Sequence, residues 1–269
     1  MTNGQVRLWH LPTSHYSEKV RWALDHKRIG HTQRTPLAIP HFVVARVLTR
    51  GEVTTFPVIE LPQSGIVGDS TAIIAALERE FPDRPPLYPA GEADRAGALE
   101  IEDWFDENLG RDIRVLALGE VSQDPPRLRQ LADRHIPAHM RPFPEAWAKL
   151  FGASIRQRYG INRPGALDDA RGGVAKAFDH LERALDGNEY LVAGTFTVAD
   201  LSAASHFYWL LQPPEGPRVV DRLPAPLADF MSRFEDRDGY RWVLEMYRRH
   251  RRPADTAAAA PPKPVAATA

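Results

Sequence analysis

Between residues 82 and 91 the chain reads Pro-Asp-Arg-Pro-Pro-Leu-Tyr-Pro-Ala-Gly, a density of helix breakers that no helix interior or central strand can span. The chain is therefore divided at this point. Before it, short apolar runs alternate with helical patterns; beyond it, the apolar spacing is that of long helices. The spacing predicts helices over 94 to about 118, 167–185, 198–211 and 226–249, with a stretch around 125–159 broken at Pro137, Pro142 and Pro144. That interrupted stretch reads as a roof over a cleft between the two parts. Residues 251–269 are Ala/Pro-rich and nearly free of large apolar groups, so they cannot offset their ordering entropy and read as a disordered tail. The expected organisation is one unit over 1–90, a helical unit over 91–250, and the tail.

In the first unit, a short apolar strand leads into Pro12-Thr13-Ser14-His15-Tyr16-Ser17, where a loop becomes a helix. A helix N-terminus offers unpaired N–H groups and the positive end of a dipole, so an anion placed there is stabilised and a hydroxyl there can donate to it. This points to a thiol handled by serine. Downstream, Pro57 precedes the β-branched pair Val58-Ile59; lacking an N–H, it belongs at the start of an edge or turn-entry strand, and its peptide bond can be cis. A turn at Pro62-Gln63-Ser64-Gly65 then makes a hairpin. Asp69 and Ser70 cap a helix that carries Ile73, Ile74, Leu77 and Phe81 at helical spacing.

Composition excludes several classes. With 34 basic and 35 acidic side chains and a net charge of −1, the chain lacks the field that binding a phosphate backbone needs. It has no cysteine, which removes disulfides, thiolate metal sites and cysteine nucleophiles. No His/Asp/Glu grouping has metal-ligand spacing, so no metal is expected. No apolar run approaches the ~20 residues that cross a bilayer, and the first residues lack a secretory core, so the expectation is cytoplasmic and away from membranes.

The order of these motifs resembles the glutathione transferase superfamily: strand, Ser-x-x-Ser-x-Lys-Val-Arg helix, Phe-Pro-Val before a hairpin, and Asp-Ser opening a third helix. Gly194-Thr195-Phe196-Thr197-Val198-Ala199-Asp200-Leu201 is similar to the N-capping box of that family's second domain, with Thr197 as N-cap, Asp200 at N3 and Phe196 stapled to Leu201. The resemblance implies an α/β thioredoxin-like domain followed by an all-α helical bundle domain, with glutathione as co-substrate and a homodimeric assembly.

It also implies roles. Ser14 stands where the family contacts the glutathione sulfur; simple capping is the competing role for Ser14 and Ser17. Tyr16 is a rival activator, since some branches use tyrosine, although theirs sits earlier, where this chain has Trp9 and His10. Asp69 and Ser70 match the pair that holds the γ-glutamyl end, and Val58, after Pro57, would offer backbone groups to the cysteinyl part. The glycine carboxylate would fall to His41, Arg46 or Arg50, a choice the sequence leaves open. His10 and His15 can act as bases at working pH, but His10 reads first as the end of a strand and His15 as a solvated loop residue. Trp104, Phe105, Asn108, Arg111 and Arg114 lie on a helix near the cleft, and aromatic walls would favour a hydrophobic electrophile. Trp104 and Phe105 are in such a helix most often core, Arg111 can belong to a solvated face, and the His206-Phe207-Tyr208-Trp209 cluster reads first as buried packing and second as pocket lining.

The reading is a glutathione-transferase-like enzyme of the detoxification type, in which thiolate attacks an electrophilic carbon in conjugation, isomerisation or ether cleavage. A cysteine would stand at Ser14 in the thiol-reductase branches. Two other classes stay open: a noncatalytic ligand-binding or interaction protein on the same fold, and a pathway enzyme using another thiol or none.

Overall fold

The computed structural model describes residues 5–35, 41–135, 144–218 and 221–251. Strand β1 (Val6–Trp9) buries Val6 and Leu8 and leaves Arg7 and Trp9 half-covered, the period of a strand. Helix α1 (His15–His26) returns the chain so that β2 (His31–Arg34) lies parallel to β1, with Val6 opposite His31. Helix α2 (His41–Leu48) follows. The hairpin forms as expected: β3 (Val58–Leu61) runs antiparallel to β1, with Leu8 opposite Ile59, and β4 (Gly65–Gly68) is antiparallel to β3. The sheet order is β2-β1-β3-β4. Gly65 takes φ +70° in the turn, a value that a side chain disfavours. The Phe56–Pro57 peptide is cis. Helix α3 (Ser70–Glu80) packs Ile73, Ile74 and Leu77 into the core, completing a thioredoxin-like unit.

Helices make up the second unit. Where one helix is expected to start at residue 94, there are α4 (Glu92–Trp104), a π turn (Phe105–Leu109) and α5 (Gly110–Ser122). A π turn adds a residue to the helix and is invisible to a 3.6-residue pattern; here it carries Asp106, whose carboxylate is bonded from three other segments. The interrupted stretch resolves into α6 (Pro125–His135) and α7 (Pro144–Arg158), each opening on proline; Pro137 and Pro142 lie outside the described residues. Helix α8 (Ala166–Leu185) leads to α9 (Val198–Leu211), every residue of which is buried, as befits the central helix of a bundle. The Thr197–Asp200 capping box is formed. The helix expected over 226–249 is broken into α10 (Ala225–Met231), a 3₁₀ turn (Ser232–Phe234) and α11 (Asp238–His250). The break has a cause: Arg237, in extended conformation, binds Asp179 and Glu182 of α8, and the Gly239 N–H donates to Glu182.

The two units share a core. Helix α1 packs on α9, Trp22 of α1 lies 4.4 Å from the Tyr247 ring and 5.6 Å from Phe196, and its Nε1 donates to the His250 carbonyl at 3.1 Å. Arg251, expected to begin the tail, is instead buried and pairs with Glu18 at 2.7 Å.

Candidate active site

A cavity of about 540 Å³ lies between the units. One wall comes from the loop before α1, the cis Phe56–Pro57 peptide and the start of α3; the other comes from the α4–α5 region, Tyr159 and Trp209. Ser14, with φ −86° and ψ 128°, is the N-cap of α1: its Oγ accepts the Ser17 N–H at 3.3 Å. A hydroxyl that accepts in this way keeps its own proton to donate, and Ser14 lines the cavity. Capping and contact with an anion are therefore compatible in one side chain.

Beside it stands a second helix N-terminus. Ser70 is the first residue of α3, is 3% exposed, lines the cavity and makes no side-chain hydrogen bond to the described residues. Asp69 caps α3 by accepting from Thr71 N at 3.0 Å and Ala72 N at 3.1 Å. Both bonds fall on Oδ1, leaving Oδ2 to meet a cation. Asp69 has φ 71°, a backbone conformation that costs a non-glycine residue and persists where the surroundings require it.

Two serine-bearing helix N-termini facing one cavity beside a cis-proline strand entry give the geometry that the motif order anticipates. Residues 8–85 match the family model of the glutathione S-transferase N-terminal domain, and residues 164–249 match that of the C-terminal domain. The chain belongs to the glutathione S-transferase superfamily. No curated protein matches it. Among solved structures it is similar to the glutathione S-transferase CsGST63524 of Ceriporiopsis subvermispora in complex with glutathione, at 18% identity and TM-score 0.62, over 95% of this chain and 100% of that one. It is similar to glutathione transferase GSTFuA3 of Phanerochaete chrysosporium at 21% and 0.60, over 91% and 96%. The β-etherase LigF of Sphingobium sp. strain SYK-6 is 22% identical with TM-score 0.56, over 90% and 99%. At these identities the likeness is one of fold.

Within this member of the superfamily, the expected site residues separate into those at the cavity and those away from it. Ser14, Tyr16, Pro57, Asp69 and Ser70 line it. Ser17 does not: it is fully buried, and its Oγ accepts from Leu11 N at 3.3 Å. Tyr16 gives its hydroxyl proton to the Asp106 carbonyl at 2.7 Å, and burial pushes its pKa up to about 12. Val58 is also displaced. It sits in β3 between Trp9 of β1 and Gly68 of β4, and a residue of a strand paired on both sides spends its N–H and C=O inside the sheet. Phe56, two residues earlier, lines the cavity, and Val58 does not. Arg46 and Arg50 are exposed and do not line the cavity; the His41 side chain lies outside the described residues.

His10 ends its strand as expected, its main-chain N–H donating to the Arg34 carbonyl at 3.0 Å, but it does not belong to the substrate pocket; His15 needs correction as well. His10 is 6% exposed, away from the cavity, and its Nδ1 accepts from Arg21 Nη1 at 2.7 Å; burial, then the Arg21 charge, hold it neutral. His15 is no solvated loop residue. It is the first residue of α1, 4% exposed, and is packed between the rings of Tyr16 at 4.4 Å and His206 at 5.0 Å. Burial, followed by the His206 and Arg114 charges, depresses its pKa well below the ordinary value.

On the helical wall, Trp104, Asn108 and Arg111 line a different cavity of about 510 Å³. Trp104 stacks on His180 at 3.7 Å, Asn108 donates to the Trp104 carbonyl at 2.8 Å, and Phe105 is buried core. Asp106, Ile113, Arg114 and Ala117, on the neighbouring face, meet the first cavity instead. Of the aromatic cluster on α9, Trp209 reaches this cavity.

Beneath the site lies a buried charge network. Lys19 of α1 pairs with Asp106 at 2.6 Å and Glu102 at 2.7 Å; Asp106 also accepts from Thr71 Oγ1 at 3.0 Å and Ser202 Oγ at 2.9 Å. Burial alone would lower the Lys19 pKa, yet the two carboxylates outweigh it and raise it; for Asp106, Lys19 and His206 outweigh burial and lower it. One carboxylate thus joins α1, α3, the π turn and α9. Among the described residues, no group of three His, Asp or Glu side chains is placed to hold a metal ion, and no helix is long and apolar enough to cross a membrane.

Proposed function

We propose that the chain is a serine-type glutathione transferase whose reaction is attack of the glutathione sulfur on an electrophilic carbon. The supporting observation is that Ser14, its proton unspent, stands at the N-terminus of α1 in the same cavity as Ser70 and Asp69. The γ-glutamyl carboxylate accepts from Ser70 and the N-terminal amides of α3, while Asp69 Oδ2 attracts the ammonium. Phe56 offers its backbone to the cysteinyl residue in strand-like fashion. The thiol loses its proton to solvent, and the thiolate is stabilised by the Ser14 hydroxyl and the α1 dipole. Sulfur then bonds to carbon as the leaving group departs with its electron pair; attack at an ether carbon is cleavage, at an activated aryl carbon conjugation. The resemblance adds a homodimer working in the cytoplasm.

Calorimetric titration with reduced glutathione tests the reading. Saturable binding that Ser70→Ala weakens by ~1–3 kcal/mol is expected, and Ser14→Ala should return the bound thiol pKa towards the free value near ~8.5. Absence of binding at millimolar glutathione, on the order of the weakest useful affinity, overturns it.

A further inference from the structure

Arg114 of α5 is the one arginine or lysine among the described residues lining the cavity. Its guanidinium carbon lies 5.2 Å from the ring centroids of both Tyr16 and Tyr159, so it is held between two aromatic faces, one from each unit. The buried arginines and lysines elsewhere among the described residues are matched with carboxylates: Lys19 with Asp106, Arg21 with Glu18, Lys27 with Glu78, Arg251 with Glu18. Arg114 has no such partner among the described residues, although it is half-buried. A guanidinium positioned by ring contacts keeps its N–H fork for a planar anion.

We propose that the acceptor substrate is an aromatic or apolar acid whose carboxylate pairs with Arg114. The inference rests on the reading of this cavity as the acceptor site, and it replaces a neutral hydrophobic electrophile with an anionic one. Ile113, Ala117, Leu118 and Trp209 receive the apolar body. Tyr16 is two residues beyond Ser14, so an acid anchored on Arg114 has its ring beside the proposed sulfur position. Of the carboxylates in the same wall, Asp106 is bonded by Lys19, Thr71 and Ser202, and Asp103 and Glu107 stand earlier on the helix, so Arg114 is the group there that offers an anion an N–H fork. The rival source of a carboxylate is glutathione itself, and the test separates the two.

The probes are 4-methyl-3-nitrobenzoate and its methyl ester, unreactive compounds with the same nitrotoluene body that differ in charge and by one methyl group, titrated calorimetrically with and without reduced glutathione. The wild type should bind the acid at least roughly tenfold more tightly than the ester, also at saturating glutathione. Arg114→Met should make the two equal, and Arg114→Lys, which keeps the charge but not the fork, should retain part of the preference. Equal binding by the wild type overturns the proposal. So does competition between glutathione and the acid together with weakened glutathione binding in Arg114→Met, which would give Arg114 to the thiol co-substrate. An acid preference in a protein that binds no glutathione leaves the anion site standing and removes the thiol reading.

Discussion

The Tyr16 hydroxyl donates to the main-chain carbonyl of Asp106 at 2.7 Å, tying the first turn of α1 to the π turn of the helical unit. A phenol committed to a carbonyl, with its pKa raised to about 12 mainly by burial, is expected to serve as a strut. Tyr16→Phe should therefore leave the pKa of bound glutathione where it is while lowering stability by about 1 kcal/mol. Thiolate absorbance against pH and urea unfolding read the two effects; a raised thiol pKa in Tyr16→Phe would return the catalytic role to tyrosine.

Asp106→Ala should be far more damaging. It removes one carboxylate of a buried pair and leaves the Lys19 charge with Glu102 alone, a change expected to cost about 3–5 kcal/mol. Denaturant unfolding measures this. A loss below about 1 kcal/mol would show that Glu102 suffices as the counter-ion.

Stability should fall in mild acid. His10, His15 and His206 are buried, and burial first of all lowers each pKa, that of His206 to about 4. The unfolded chain then binds more protons than the fold below the unfolded value of 6.5, so stability is complete above that pH and is lost as pH drops towards 4. With three such groups the slope can reach roughly 4 kcal/mol per pH unit. Urea midpoints across this interval test the slope, and His206→Gln should reduce it by about a third if all three contribute equally.

Gly110 should resist substitution. A methyl group there would collide with the Tyr16 hydroxyl and lie 3.0 Å from the His206 ring. Gly110→Ala must move Tyr16 or open the helix, with an expected loss of about 1–3 kcal/mol. A crystal structure of the variant would show whether the Tyr16–Asp106 bond survives.

What was legible in the sequence is local. The Ser14 cap, the hairpin around Gly65 and the Thr197–Asp200 capping box each lie within a few residues, and propensity and spacing suffice for them. What was not legible depends on distant partners. His15 is buried because His206 of α9 packs against it, and no pattern near residue 15 records that. Val58 lies away from the cavity that Phe56 lines, because β3 acquires neighbours on both sides. Trp104, Asn108 and Arg111 share one helix face and Asp103, Arg114 and Ala117 the neighbouring one; which face meets which cavity is decided by the packing of the two units, not by the local spacing.

The Arg251 side chain reaches back to Glu18 and Asp25 of α1, just after His250 has accepted the Trp22 indole proton. The end of the helical unit is thereby fastened to the rear of the helix whose front carries Ser14. Two sequence units so fastened should lose their structure together, and damage remote from the cavity, at the close of α11, would be felt as a loosened serine.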